Sequence, residues 1–116
     1  MKALVSPIVA VALLASALPL SAESYSLSRD TWERPRSAER IVEWPAVRAA
    51  VNEWRVAPQS KHIELRYPGG DSGSLWALEL RDWLVSLGVP SESMVLRPGH
   101  GDANQLLLTV ETGVAP

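Results

Sequence analysis

The strongest constraint on the fold is a strictly alternating segment that runs into a glycine-rich turn and then an amphipathic helix. Apolar and polar residues alternate without exception from His62 to Tyr67. This period of two predicts a strand with one buried face. The stretch Pro68–Gly73 has the composition of a turn. The apolar spacing beyond it predicts a helix that ends at Gly88, which suits the left-handed position after a helix.

The rest of the chain continues this alternation of strands and helices. The predicted elements are a strand at 24–32, a helix at 37–56 that kinks or restarts at Pro45, a strand at 62–67, a helix from Ser72 or Ser74 to Leu87, and strands at 94–97 and 105–111. Because a short glycine-containing loop separates the last two strands, we predict that they form an antiparallel hairpin. The order β-α-β-α-β-β predicts an α/β (α+β) fold of two layers, with a mixed sheet, both helices on one face and a mostly polar outer face.

Residues 1–22 have the pattern of a secretory signal peptide. Lys2 supplies a positive charge, an apolar stretch follows up to Leu20, and small residues close the segment. We therefore expect cleavage on export, which leaves residues 23–116 as a single small α/β domain with no membrane attachment. The alternative is a membrane anchor, since the apolar stretch is close to the length that spans a bilayer.

Composition excludes several classes of function. The 116 residues include no Cys, so disulfide bonds, cysteine zinc sites and thiol nucleophiles are excluded. The formal net charge is −2, whereas a nucleic-acid-binding domain usually carries a basic surplus, so we expect no nucleic-acid partner. His62 and His100 lack the spacing of metal ligands and are expected at exposed positions, so we expect no metal and no cofactor.

The five Trp fall into two groups. Four lie on apolar helix faces and are expected in the core: Trp44, Trp54, Trp76 and Trp83. Trp32 instead precedes a charged loop and is the candidate for an exposed aromatic side chain that contacts a partner or a glycan. Arg34 and Arg36 make that loop positive, which suits an anionic partner. The alternative is that Trp32 anchors the end of a strand and that both Arg are solvated.

The turn also spells Gly70-Asp71-Ser72-Gly73, the stretch around the nucleophile of trypsin-like serine proteases. Such an enzyme needs a His and an Asp supplied ahead of the Ser, and only His62 precedes Ser72. The glycines could also expose backbone N–H groups to a phosphate, but a P-loop Lys and the dinucleotide-binding order of glycines are missing. A strand-to-helix turn explains the motif, so we expect no enzymatic activity.

These segments carry a family resemblance. From about Ser37 to Val110, and most closely over Ile63–Ser74, the chain resembles the OmpA-like periplasmic domain, and it is also similar to pilus-assembly proteins of the Caulobacter type. The resemblance implies a periplasmic location and peptidoglycan binding, with Asp71 at the position of the family's turn Asp. The family's Arg that binds a peptide carboxylate falls near Trp76 here and is not matched.

We therefore expect a small exported, non-enzymatic periplasmic protein that serves as a binding or assembly module of the bacterial cell envelope, with peptidoglycan or an envelope protein as its partner. The expected ligand site is the turn from Gly69, where Asp71 and Ser72 offer polar contacts and Arg66 and Arg97 are candidate partners for a carboxylate or a glycan. One alternative is a protein-interaction accessory factor for secretion or pilus assembly, or a periplasmic immunity protein. A third hypothesis is a small hydrolase that uses Ser72 or His100.

Overall fold

The computed structural model describes residues 23–116, and the predicted signal peptide at 1–22 lies outside the described residues. A mixed four-stranded sheet forms one layer and helices form the other, which confirms the two-layer α+β prediction. The strands are β1 (Glu23–Ser28), β2 (Lys61–Pro68), β3 (Met94–His100) and β4 (Gln105–Thr112). The helices are α1 (Arg29–Trp32), α2 (Ala38–Ile41), α3 (Pro45–Val56) and α4 (Asp71–Ser86). Within 23–116, no helix combines the length and the apolar composition needed to cross a bilayer.

The last strand of the chain lies inside the sheet, because the strand order is β1-β4-β2-β3. β4 pairs antiparallel with both β1 and β2, and β3 pairs parallel with β2 at the outer edge. The predicted hairpin between the last two strands is therefore wrong. Buried Leu106, Leu108 and Val110 suit β4 to a central position, whereas Pro98 of β3 has no amide N–H and is tolerated at an edge.

The segment predicted as one helix over residues 37–56 is interrupted. α2 ends at Ile41, and α3 begins with Pro45 as its first residue. Pro is suited to this position because the N–H that it lacks would have no partner within the helix. Ser37 starts α2 by accepting a hydrogen bond from the amide of Arg40 on its hydroxyl. Of the two alternatives that the sequence leaves open, the restart at Pro45 is confirmed.

The core lies between one face of the sheet and the helical layer. Its largest fully buried side chains are Ile41, Val47, Ile63, Leu65, Trp76, Leu80, Leu84, Val89, Leu106 and Leu108. Trp54 is also buried as predicted, whereas Trp44 and Trp83 are partly buried and pack against the core. Alternate residues of β2 and β4 point into this core, so the residues between them face the other side of the sheet.

The Gly-Asp-Ser-Gly motif turns the chain from β2 into α4. The helix begins at Asp71, so neither predicted Ser caps it, and Gly70 before it has a φ of 89° that disfavours any side chain. Gly73 lies against the carbonyl group of Pro68 with no room for a Cβ. Two of the four motif residues therefore have structural roles. At the far end of the helix, Gly88 takes the predicted left-handed conformation, with a φ of 106°.

Candidate functional site

The sheet face opposite the core, which we call the open face, is not covered by any helix of residues 23–116. The strand register arranges its side chains in three rows across the sheet. The first row contains Ser26, Leu107, Arg66 and Arg97, the second contains Ser24, Thr109, Glu64 and Val95, and the third contains Glu111 and His62. Most of these side chains are polar, which confirms the expected polar outer face of the sheet.

Glu64 lies at the centre of the open face, and its side chain is only 7% exposed. Arg97 of β3 donates from Nε to Oε2 of Glu64 at 2.6 Å. Arg66, two residues along β2, donates from Nε and Nη2 to Oε1 at 3.4 and 3.3 Å. Both carboxylate oxygens are thus engaged, and two guanidinium groups compensate the buried charge. The structure therefore brings together the two predicted Arg through a carboxylate that the sequence prediction does not include.

In the region 23–116, some N–H donors of the two Arg side chains in this cluster are free to bind a ligand. Arg66 and Arg97 are 47% and 49% exposed. Within the described part of the chain, Arg97 uses only its Nε on Glu64, and its two terminal nitrogens carry no other side-chain contact. A guanidinium group has five N–H donors and no acceptor. Two positive charges face one negative charge, so the cluster can accept an additional anion.

His62 occupies the third row together with the end of β4. Its Nδ1–H donates to the carbonyl oxygen of Gly113 at 2.8 Å, and its Nε2 lies 3.4 Å from a carboxylate oxygen of Glu111. The amide of Gly113 also donates to the carbonyl oxygen of Ser60. The expectation that His62 is exposed is therefore wrong, because the chain after β4 lies over its ring. His62 ties β2 to the end of β4.

The predicted ligand set divides between two places. Asp71 and Ser72 are exposed in the first turn of α4, which belongs to the helical layer. Arg66 and Arg97 point from the opposite side of the sheet. The structure therefore does not place the four side chains in one site, because the turn at the end of β2 leads the chain into the helical layer. His100, at the end of β3, is half-buried.

Trp32 is buried, with 6% of its surface exposed, so the expectation of an exposed aromatic residue is wrong and the alternative of an anchoring residue is confirmed. Its ring stacks on Trp76 with the centroids 6.0 Å apart and meets Trp44 edge-on at 6.2 Å. The cause is a helix where a strand end is predicted. The hydroxyl of Ser28 accepts from the amide of Thr31 and caps α1, which turns Trp32 towards α4.

Arg36, predicted to serve an anionic partner, is engaged within the fold. Its guanidinium lies 4.3 Å from the centre of the Trp32 ring and donates to both carboxylate oxygens of Glu79, at 2.8 and 3.1 Å. These hydrogen bonds lower the pKa of Glu79 against the opposing effect of burial. Arg34 is exposed and pairs with Asp30 at 3.6 Å. Of the three predicted partner-binding residues, Arg34 is therefore exposed, Arg36 is half-buried and Trp32 is buried.

The described surface includes two shallow cavities, among others. One, of about 410 Å³, lies beside α1 and is lined by Ser28, Arg29, Asp30, Glu33, Asn104 and Gln105. The cation in this lining is already engaged, because Arg29 donates to the carbonyl oxygen of Ala103 and lies over the Trp76 ring. The other, of about 350 Å³, lies along α4 near Trp83. No group of three His, Asp or Glu side chains within 23–116 is placed to hold a metal ion.

No protein-family model matches the chain, and no curated protein matches it. The relationship to OmpA-like domains and to pilus-assembly proteins stays a prediction. The arrangement of side chains on the open face is therefore the main support for a function.

Proposed function

We propose that the chain is an exported, non-enzymatic binding or assembly module of the bacterial cell envelope, and that the open face of its sheet is the binding surface. The ion cluster of Glu64, Arg66 and Arg97 carries this proposal. Burying a carboxylate costs free energy even when the charge is paired, and an apolar replacement is often as stable. A buried carboxylate that holds two half-exposed guanidinium groups on an uncovered face therefore favours a role in binding.

The chemistry of the open face favours binding over catalysis. The exposed cations of its first row, Arg66 and Arg97, carry guanidinium groups, which stay protonated at any physiological pH and cannot take up a proton as a general base. The hydroxyl groups of Ser24 and Thr109 bond to one another at 3.0 Å in the neighbouring row. Peptidoglycan carries carboxylates on its peptides and hydroxyls on its glycan, which are the groups that Arg and Ser or Thr side chains bind. The signal-peptide pattern of residues 1–22 supports export to that compartment.

Co-sedimentation with purified peptidoglycan sacculi tests the proposal directly. The wild-type protein, an Arg66→Gln/Arg97→Gln double variant whose fold is checked by circular dichroism, and an Arg48→Gln control are mixed with sacculi at low and at moderate salt. Arg48 is an exposed Arg of α3 that pairs with Glu43, so its replacement removes one charge away from the open face. We expect the wild type and the control to sediment and the double variant to remain in the supernatant. Failure of the wild type to sediment at either salt concentration contradicts peptidoglycan binding.

Crosslinking in the periplasm distinguishes the two kinds of envelope partner. If the same double variant loses a discrete crosslinked product that the wild type and Arg48→Gln both form, the partner of the open face is an envelope protein. If the wild type neither sediments with sacculi nor crosslinks to a protein, the proposed function is wrong.

A further inference from the structure

We infer that Arg66 and Arg97 together bind a singly charged carboxylate carried on a small aliphatic group, and that Glu64 is the residue that positions them. This inference rests on the proposed function, because it names the class of ligand that the open face takes. Charge, register and the neighbouring apolar side chains each support it.

The register places the two cations side by side. Arg66 and Arg97 are directly paired across the parallel strands β2 and β3, which are separated by about 4.8 Å. Two like charges at paired positions repel one another. Glu64 offsets this repulsion because each of its oxygens accepts from a different Arg. The guanidinium groups are therefore already ordered before a ligand arrives, so less conformational entropy is lost on binding.

The net charge of the cluster matches one negative charge. Two guanidinium groups and one carboxylate leave a surplus of a single positive charge, which suits a carboxylate better than a phosphate dianion. The other acidic side chain of the open face is Glu111, four residues along β4 from the row that contains both Arg. That separation is about 13 Å along the strand, which is longer than the screening length at physiological salt. Glu111 therefore does not offset the local surplus.

Apolar side chains flank the two Arg. Leu107 is the direct neighbour of Arg66 in the same row, and Val95 is the neighbour of Glu64 in the next row. Both are half-buried, so part of their surface is exposed beside the guanidinium groups. A carboxylate with a methyl or short aliphatic group can place that apolar part on Leu107 while its oxygens accept from the Arg N–H groups. Inorganic phosphate has no such part.

A titration of the purified protein, followed by nuclear magnetic resonance, tests the inference. The probes are N-acetylalanine, its neutral amide and inorganic phosphate, and the signals are the Nε–H resonances of the Arg side chains. We expect N-acetylalanine to shift the Arg66 and Arg97 signals in a saturable way and the amide to leave them in place. Phosphate should bind about threefold or more weakly, because its second charge is not matched.

Variants then separate a binding role from a merely structural one. Arg97→Gln and Arg66→Gln each leave one guanidinium group on Glu64 and should each weaken N-acetylalanine binding about tenfold, whereas Arg48→Gln should leave it unchanged. Glu64→Gln raises the positive surplus and releases the two Arg, so the preference for N-acetylalanine over phosphate should be lost. If Glu64→Gln does not fold, the binding measured for the two Arg variants tests the inference.

The inference is overturned if the carboxylate and its amide shift the Arg signals equally, if phosphate binds the wild type more tightly, or if Arg97→Gln binds as well as the wild type. Sacculus or partner binding that persists in such a case leaves the proposed function intact. Carboxylate binding without any sacculus or protein partner would instead support the inference and contradict the proposed function.

Discussion

Gly73 lies directly against Pro68, so a Cβ at position 73 would sit 1.7 Å from the Pro68 carbonyl oxygen. Backbone atoms form this contact, so no change of side-chain rotamer relieves it. We expect Gly73→Ala to lower the free energy of unfolding by about 3 kcal/mol or more, measured by urea unfolding. Gly69→Ala is the matched control, because a Cβ at position 69 would have no atom within 4 Å; it should cost less than about 0.5 kcal/mol. Equal losses in the two variants would contradict the close approach.

Trp32 contributes to stability through the aromatic stack that it forms with Trp76. We expect Trp32→Ala to lower the free energy of unfolding by about 3–5 kcal/mol, because the change leaves a cavity against the core. Arg34→Ala, in the loop that follows α1, should change it by less than about 0.5 kcal/mol, since Arg34 is exposed. Urea unfolding of both variants checks this. A nearly neutral Trp32→Ala would instead indicate that the side chain is exposed.

The ion pair between Arg36 and Glu79 makes stability depend on pH in the acid range. Because the hydrogen bonds from Arg36 lower the pKa of Glu79 in the folded state, the pair stabilises the protein above the unfolded pKa of about 4.3. This stabilisation is lost as pH falls through the lower folded pKa. Glu79→Gln should therefore flatten the fall in stability below about pH 4. At neutral pH it should cost about 1 kcal/mol or less, since the Glu79 side chain is 44% exposed.

Unfolding by urea between neutral and strongly acid pH measures this dependence. Asp82→Asn is a suitable control, because Asp82 lies on the same helix, is 73% exposed and pairs with Arg81 at the longer distance of 3.6 Å. Parallel acid profiles for Glu79→Gln and the wild type would show that the Arg36 pair does not contribute.

Tyr25 makes stability depend on pH in the alkaline range. Its hydroxyl donates to Glu53 at 2.6 Å, and this hydrogen bond, together with burial and the charge of Glu53, raises the pKa of Tyr25 to about 12. The neutral phenol is favoured in the fold, so this stabilisation is complete below the usual pKa of about 10 and is lost as pH rises towards 12. Ultraviolet titration should show a tyrosinate step near pH 12 that Tyr25→Phe removes. A step that persists in that variant would contradict the assignment.

Local patterns predict the elements but not their order in the sheet. The alternation from His62 to Tyr67 and the glycine at position 88 depend on neighbours in sequence, and both predictions match β2 and the end of α4. The place of β4 depends on contacts with strands far away in the chain. A short loop favours a hairpin, but the apolar residues of β4 are buried more completely between β1 and β2 than they would be at an edge.

The candidate site can be predicted only in part for the same reason. The sequence indicates Arg66 and Arg97 as candidate ligand-binding cations, and the polar side of β2 follows from its period of two. The burial of Glu64 requires the neighbouring strands, because the register places Val95 and Thr109 on either side of it. The prediction for Trp32 is wrong because the cap at Ser28, which starts α1, lies within an apparently continuous strand pattern.

The inner position of β4 also affects when the molecule can fold. β1 has β4 as its neighbour in the sheet, so its backbone stays unpaired until residues 105–112 are available. Contacts between such distant segments form slowly, because a long loop must close first. A polypeptide that emerges N-terminus first therefore cannot pair β1 or complete its sheet until residues 105–112 have emerged.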